Sequence, residues 1–167
     1  MNYNLSRVTT QYIDNEDRLR ILGESSEGKI CEIWLSHRLL DRLVNNLLSN
    51  VQTDGPVDDV LQVFEQEAAS FSLVEQPSVK KVEQPISWLA TAIDIKRDND
   101  ITSLVFRDEI PMSAQISFQT IELRQWLSII YNAYKLAEWS LEKWPGWFKE
   151  SKESKEVNEN SDTYSVH

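Results

Sequence analysis

The chain has 167 residues, of which 17 are basic and 27 are acidic, so its formal net charge is −10. This length suits one domain, and a hydrophobic share of 41% with six Trp and five Phe indicates a globular fold rather than a disordered chain. A chain this acidic disfavours direct binding to nucleic acid or to an anionic membrane, because both need clustered Lys and Arg, whereas basic protein partners are permitted.

The first part of the chain predicts three strands and then a helix. The strands are expected at Arg7–Ile13, Arg18–Glu24 and Lys29–Leu35, with a polar turn after each of the first two. Ser36 stands where a helix N-cap is expected. The helix that follows has one broad apolar face, formed by Leu39, Leu40, Leu43, Val44, Leu47, Leu48 and Val51.

A second helix and a linker follow. Asp54-Gly55-Pro56 predicts the end of the first helix and the start of another. One face of this second helix carries Val57, Val60, Leu61, Phe64, Ala68 and Phe71. Residues 74–85, with two prolines and two lysines, read as an internal linker. An extended recognition peptide is the alternative for this segment.

The remaining elements repeat the order strand, strand, strand, helix. Strands are expected at Ile86–Arg97, Ile101–Arg107 and Ala114–Gln119, with a hairpin turn at residues 98–100. A last helix is expected from Thr120 to about residue 143. Its apolar stripe comprises Leu123, Trp126, Leu127, Ile130, Tyr134, Ala137 and Leu141.

These two halves match at an offset of 84 residues. Trp34 aligns with Phe118, and Leu39 aligns with Leu123, but few positions are identical. The match therefore concerns the order of elements and the spacing of apolar residues. We expect an α+β fold with an antiparallel sheet of about five or six strands, three helices packed mainly on one face, and a pseudo-repeat of two strand-strand-strand-helix units. Residues 1–148 form the domain, and residues 149–167 are expected to be a disordered polar tail.

Residues with reactive side chains are few. His37 is the only histidine before the expected tail, and its position in the first turn of a helix favours an ordinary structural role. Cys31 lies inside a strand without a second cysteine, as a buried structural thiol does. The glycines form no phosphate-binding motif. Two acidic groups could offer oxygen ligands to a metal, although turn formation explains them more simply: Asp14, Glu16 and Asp17, and Asp98, Asp100 and Asp108. We therefore predict no catalytic, cofactor or metal site.

The aromatic residues near the end of the expected domain are the candidate protein interface. Trp139 falls nearly opposite the buried stripe of the last helix, and Trp144, Trp147 and Phe148 follow within a few residues. Tryptophan is enriched among interface anchors, and an exposed aromatic patch marks a contact surface. The alternative is that the chain folds back after Pro145-Gly146, so that these rings cover the core.

These observations favour a non-enzymatic protein-interaction module, an adaptor, regulator or inhibitor whose partner is another protein or a second copy. One alternative is a small-molecule-binding domain or enzyme with a pocket between sheet and helices. The other is an acidic inhibitor that imitates nucleic acid. The single cysteine, the lack of an apolar run of about 20 residues and the lack of a signal-peptide pattern lead us to expect a cytoplasmic protein, of bacterial origin.

Overall fold

The computed structural model describes residues 1–51 and 58–153, and it carries seven strands and four α-helices in these ranges. Two expectations lie outside the described residues: the helix break at residues 54–56 with Val57, and positions 154–167 of the tail. The strands are β1 (Asn2–Ile13), β2 (Arg18–Ser25), β3 (Ile30–Leu35), β4 (Ile86–Leu89), β5 (Ala92–Asp98), β6 (Ile101–Arg107) and β7 (Ser113–Gln119). The helices are α1 (His37–Val51), α2 (Asp58–Phe71), α3 (Thr120–Leu136) and α4 (residues 146–153).

The seven strands form one mixed sheet in the order β4-β3-β2-β1-β7-β6-β5. Within the sheet, β1, β2 and β3 form one antiparallel meander, and β5, β6 and β7 form another. The joins at β1–β7 and β3–β4 are parallel. The expected α+β class is confirmed, but the sheet is mixed with seven strands rather than antiparallel with about five or six, and there are four helices rather than three. Two helices and the linker separate β3 from β4, and β1 and β7 lie about 100 residues apart, so hairpin patterns could not reveal these joins.

The sheet is strongly curled into a half-barrel. Its two edge strands, β4 and β5, lie at opposite ends of the strand order but are separated in sequence by only Ala90 and Thr91. The Ala90 N–H donates to the Trp34 carbonyl oxygen over 2.9 Å, and the Thr91 N–H donates to the Arg107 carbonyl oxygen over 2.8 Å. This corner splits the single long strand that the sequence predicted, which is one reason why the strand count rises to seven.

The order strand-strand-strand-helix occurs twice, and the offset of 84 residues also relates an irregularity in the first strand of each half. At this offset Ala90 and Thr91 align with Ser6 and Arg7. The pairing of β1 with β2 shifts register between Leu5 and Arg7, close to the position at which the counterpart of β1 breaks into β4 and β5. The two halves therefore share an irregular first strand as well as element order.

The core lies on the face of the sheet that packs against α1 and α3. Ile21 and Ile33 are cross-strand partners on this face and are fully buried, and Leu104 and Phe106 of β6 are fully buried in the same core. The Ser36 side chain accepts a hydrogen bond from the Leu39 N–H, which confirms the predicted cap of α1. The buried residues of α1 are Leu40, Leu43, Val44, Leu47 and Leu48.

The linker crosses the opposite face of the sheet. Residues 74–85 contain no helix or strand. Val79 is nevertheless buried, and its N–H donates to the Thr9 hydroxyl over 2.8 Å. Thr9 pairs with Leu22 across β1 and β2, so both side chains share this face, and Leu22 is buried as well. The linker therefore covers part of the outer surface of the first meander.

We expect Thr91→Pro to lower the free energy of unfolding by about 1–3 kcal/mol, because proline removes the N–H that joins the corner to Arg107. Thr91→Ser is the matched control, since it keeps this N–H and also keeps a hydroxyl, which in Thr91 donates to the same carbonyl oxygen over 3.5 Å. Urea denaturation of both variants measures the difference. Equal stabilities would show that this hydrogen bond does not hold the corner.

Candidate functional site

The expected aromatic interface lies in the core. Trp144, Trp147 and Phe148 are exposed by 2%, 3% and 0%. The Trp144 ring packs edge-on against Tyr131 and Tyr134, with centroid distances of 5.0 and 5.5 Å. These three rings therefore form a cover over α3, as in the alternative considered above, and present no free contact surface.

A sharp reversal after α3 produces this cover. The helix ends at Leu136, seven residues before the predicted end at 143, because Glu138 adopts a left-handed φ of 56°. The Trp139 N–H then donates to the Tyr134 carbonyl oxygen over 3.1 Å. After Pro145 the chain continues as α4, so residues 149–153 of the expected tail are helical, and Ser151 is buried.

Trp139 is half-buried and belongs to a brace between three segments of the chain. Its ring stacks on His37 at the start of α1, with centroids 4.1 Å apart and planes 7° apart. Its indole N–H donates to Asp17, which follows β1, over 3.3 Å. The Tyr12 hydroxyl donates to the same carboxylate over 2.8 Å, and this hydrogen bond raises the pKa of Tyr12 to about 12.

Asp41 connects the brace to α3. Its carboxylate accepts hydrogen bonds from Tyr134 and Lys143, both over 2.5 Å, and lies 3.3 Å from His37 Nε2. Burial acts to raise the pKa of Asp41, but the hydrogen bonds from Lys143 and Tyr134 outweigh it, so the pKa is lowered. Burial and the bond to Asp41 raise the pKa of Tyr134. The sequence showed no partner for His37, yet Asp41 follows it by one helical turn. Because Asp41 also serves Tyr134 and Lys143, this His–Asp pair fits a structural brace.

The remaining residue with a reactive side chain that the sequence singled out is Cys31. Cys31 is fully buried, and burial raises the pKa of its thiol to about 12. A thiol of this kind is protonated at neutral pH and is a poor nucleophile. Within residues 1–51 and 58–153, no group of three or more His, Cys, Asp and Glu side chains is placed to hold a metal ion.

The surface that stands out is on α2, whose apolar face points to solvent. The α2 stripe comprises Val60, Leu61, Phe64, Ala68 and Phe71. Phe64 and Phe71 are exposed by 63% and 70%, and Val60 and Leu61 by 63% and 50%. The sequence placed these residues on one face of the helix. The apolar face of an amphipathic helix ordinarily packs against the core.

The opposite, polar face of α2 packs against α3 through a buried hydrogen-bond network. Arg124 of α3 is exposed by only 3%, and its guanidinium donates to Gln62 over 2.5 Å and to Glu65 over 2.7 Å. The Gln66 amide donates to the Arg124 carbonyl oxygen and the Ser128 hydroxyl, over 2.9 and 3.0 Å. The pKa of Arg124 is lowered by burial, which the carboxylate of Glu65 opposes. This network fixes the orientation of α2.

The sequence contained a weak signal for this inverted packing. Gln62, Gln66 and Ala69 recur at spacings of four and three residues, so they form a narrow uncharged stripe opposite the apolar one. Arg124 and Ser128 stand four residues apart on α3 and meet that stripe. Buried polar side chains need hydrogen-bond partners. Only the folded chain shows that the glutamines of α2 and Arg124 and Ser128 of α3 are partners of one another.

A groove of about 540 Å³ lies between β1 and β7. Leu73 and linker residues 74–78 line one side, and Trp126 and Ile129 of α3 line the groove as well. The Trp126 ring stacks on Phe118 at 5.1 Å, and its N–H donates to the Thr10 hydroxyl over 2.9 Å. The groove therefore combines an aromatic lining with polar walls.

Among the described residues, no helix combines the length and the apolarity needed to span a bilayer. Comparison with protein-family models, curated proteins and solved structures finds no match to this chain.

We expect Asp41→Asn to lower the free energy of unfolding at pH 7 by about 1–3 kcal/mol, because the bonds to Tyr134 and Lys143 lose their charged acceptor. A carboxylate whose pKa is lowered by folding stabilises the fold at pH values above its unfolded pKa of about 4. This contribution disappears as the pH falls through the lower pKa of the folded state. The difference between wild type and variant should therefore shrink at acid pH. Urea denaturation across pH measures it. Asp100→Asn, at an exposed carboxylate, is the control, and a difference that stays constant with pH would contradict the assignment.

We expect Arg124→Met to release α2, because each buried amide left without its partner costs about 1–3 kcal/mol. Hydrogen exchange should accelerate in α2, while β2 and β3 keep their protection. Asn132→Ala, at an exposed position of the same helix, is the control. Unchanged exchange in α2 would show that other contacts hold this helix.

Proposed function

We propose that this protein is a non-enzymatic interaction module, an adaptor, regulator or inhibitor, and that it binds a partner protein through the α2 stripe. The observation that carries the proposal is the outward orientation of that stripe. Large exposed apolar patches on soluble proteins mark contact surfaces. Here the patch is continuous along the helix, since its residues recur at helical spacing from Val60 to Phe71.

In this orientation α2 leaves apolar side chains in water, so the fold does not gain the free energy of burying them. Burying a Val, Leu or Phe side chain contributes about 1.5–3 kcal/mol. Four large side chains of the stripe are at least half exposed, while Gln62 and Gln66 of the same helix are buried. A partner that covers the stripe recovers the hydrophobic contribution that the isolated fold forgoes.

The stripe is also held in a defined position. The Arg124 guanidinium bonds Gln62 and Glu65, and the Gln125 amide donates to the Ala69 carbonyl oxygen over 2.9 Å. These contacts lie along successive turns of α2. A helix fixed in this way presents its apolar face without a large ordering cost on binding.

Charge favours a heterologous partner over a second copy. Residues 58–71 contain acidic residues and no Lys or Arg. Asp59 and Glu65 are exposed beside the stripe. Two such helices in contact would bring their carboxylates together, which is unfavourable. We therefore infer a partner with an apolar groove whose rim carries Lys or Arg side chains, a known way to hold an amphipathic helix.

We expect the double substitution Phe64→Ser and Phe71→Ser to abolish partner binding while changing the free energy of unfolding by less than about 0.5–1 kcal/mol, since both rings are exposed. Ile110→Ser is the matched control, because Ile110 is similarly exposed, by 64%, but lies in the loop before β7. A photo-crosslinking amino acid at position 64, and separately at position 110, identifies the contact in host cells.

The proposal requires an adduct formed from position 64 and not from position 110, and the cross-linked partner peptide must be apolar and flanked by basic residues. Formation of the complex should weaken with added salt. An adduct with the mass of two copies of this chain would assign the stripe to a homodimer and overturn the heterologous partner. A large loss of stability in the double variant would assign the stripe to the fold.

A further inference from the structure

We infer that the groove between β1 and β7 is a second binding site, which takes an extended peptide of four or five residues by strand addition. This surface is separate from the α2 stripe, and the inference does not depend on the function proposed for it. The inference rests on the short length over which β1 and β7 pair before they separate.

The parallel pairing of β1 and β7 is short. It covers only Asn2–Asn4 with Ser113–Gln115, although β1 continues to Ile13 and β7 continues to Gln119. Both strands remain paired on their other edges, β1 with β2 and β7 with β6. Within the described ranges, no strand pairs with the facing edges beyond Asn4 and Gln115. Open strand edges are the template for peptide addition.

In the other half of the molecule, the equivalent join between β3 and β4 is longer. There β3 and β4 pair over four residues, from Cys31 with Ile86 to Trp34 with Leu89. The Ala90 N–H then donates to the Trp34 carbonyl oxygen and extends this join, while the Thr91 N–H donates to Arg107 of β6. Their counterparts at an offset of 84 residues, Ser6 and Arg7, line the groove instead. The seam at β1 therefore opens where the equivalent seam is sealed by the backbone.

The size and lining of the groove suit a short strand. Ser6 to Thr10 spans about 13 Å at the rise of a strand, roughly 3.3 Å per residue. Trp126 and Phe118 form a fixed apolar base that is exposed by only 3% and 8%, because they stack on each other and Thr10 holds the indole. Ile129 is exposed by 39% at the same site. An apolar side chain of the peptide can therefore pack on Ile129, above the buried ring of Trp126.

The charge of the groove selects a basic peptide. Arg7 is the one cationic side chain among the described lining residues, and its guanidinium is paired with Glu24. Glu75 and Glu122 line the groove as well, and Glu122 accepts one hydrogen bond, from the Gln119 N–H over 2.8 Å. A peptide that alternates Lys or Arg with apolar residues satisfies both the acidic rim and the apolar surface.

The experiment uses a fluorescent, end-capped hexapeptide of sequence Lys-Val-Lys-Ile-Lys-Val, with the full-length protein. We expect weak binding that shifts the NMR amide signals of residues 6–10 and 116–119. Ile129→Trp, which fills the groove, should weaken binding about tenfold or more, a change of about 1.4 kcal/mol. Ile121→Trp is the matched control on the same helix, because Ile121 is exposed but does not line the groove.

Two peptide controls separate strand addition from other modes. N-methylation of alternate residues removes backbone donors and should abolish binding, and replacing Lys by Glu should do the same through charge. Equal binding of the methylated peptide would overturn strand addition. Shifts elsewhere, or equal affinity for the Ile129→Trp variant, would overturn the site. Self-association that Ile129→Trp abolishes would assign the edges to a second copy and overturn the peptide proposal.

Discussion

The curl of the sheet is the constraint on which the rest of this structure depends. Because Ala90 and Thr91 alone connect the two edge strands, the sheet must bend until β4 and β5 come close together. The hydrogen bonds to Trp34 and Arg107 hold that bend. The curl gives α1 and α3 a common core, and it places the seam between the two meanders at β1 and β7, where the groove opens.

The second organising contact is the buried guanidinium of Arg124. An arginine at 3% exposure is costly unless its hydrogen bonds are made, and α2 supplies the acceptors Gln62, Glu65 and Gln66. Meeting this requirement turns α2 so that its phenylalanines face outward. The exposed apolar stripe of α2 therefore follows from a polar requirement in the interior.

For the aromatic residues near the C-terminal end, tertiary contacts decide between two roles that the sequence allows. The rings of Trp144, Trp147 and Phe148 are hydrophobic enough to be interface anchors or core residues, and sequence chemistry does not distinguish the two roles. The left-handed residue Glu138 reverses the chain and delivers these rings to Tyr131 and Tyr134. Trp139 closes the reversal by stacking on His37, so the histidine most open to a catalytic interpretation supports packing instead.

By itself, the sequence determined the α+β class, the order of elements in both halves, the cap of α1 by Ser36 and the burial of Cys31. These follow from local hydrophobic periodicity, turn residues and capping, which act within a few residues. Only the tertiary structure decided the parallel joins, the break at Ala90-Thr91, the inversion of α2 and the open seam. Each of these depends on pairing between distant segments, such as Arg124 with Gln62 or β1 with β7, and that pairing sets which face of an amphipathic element is buried.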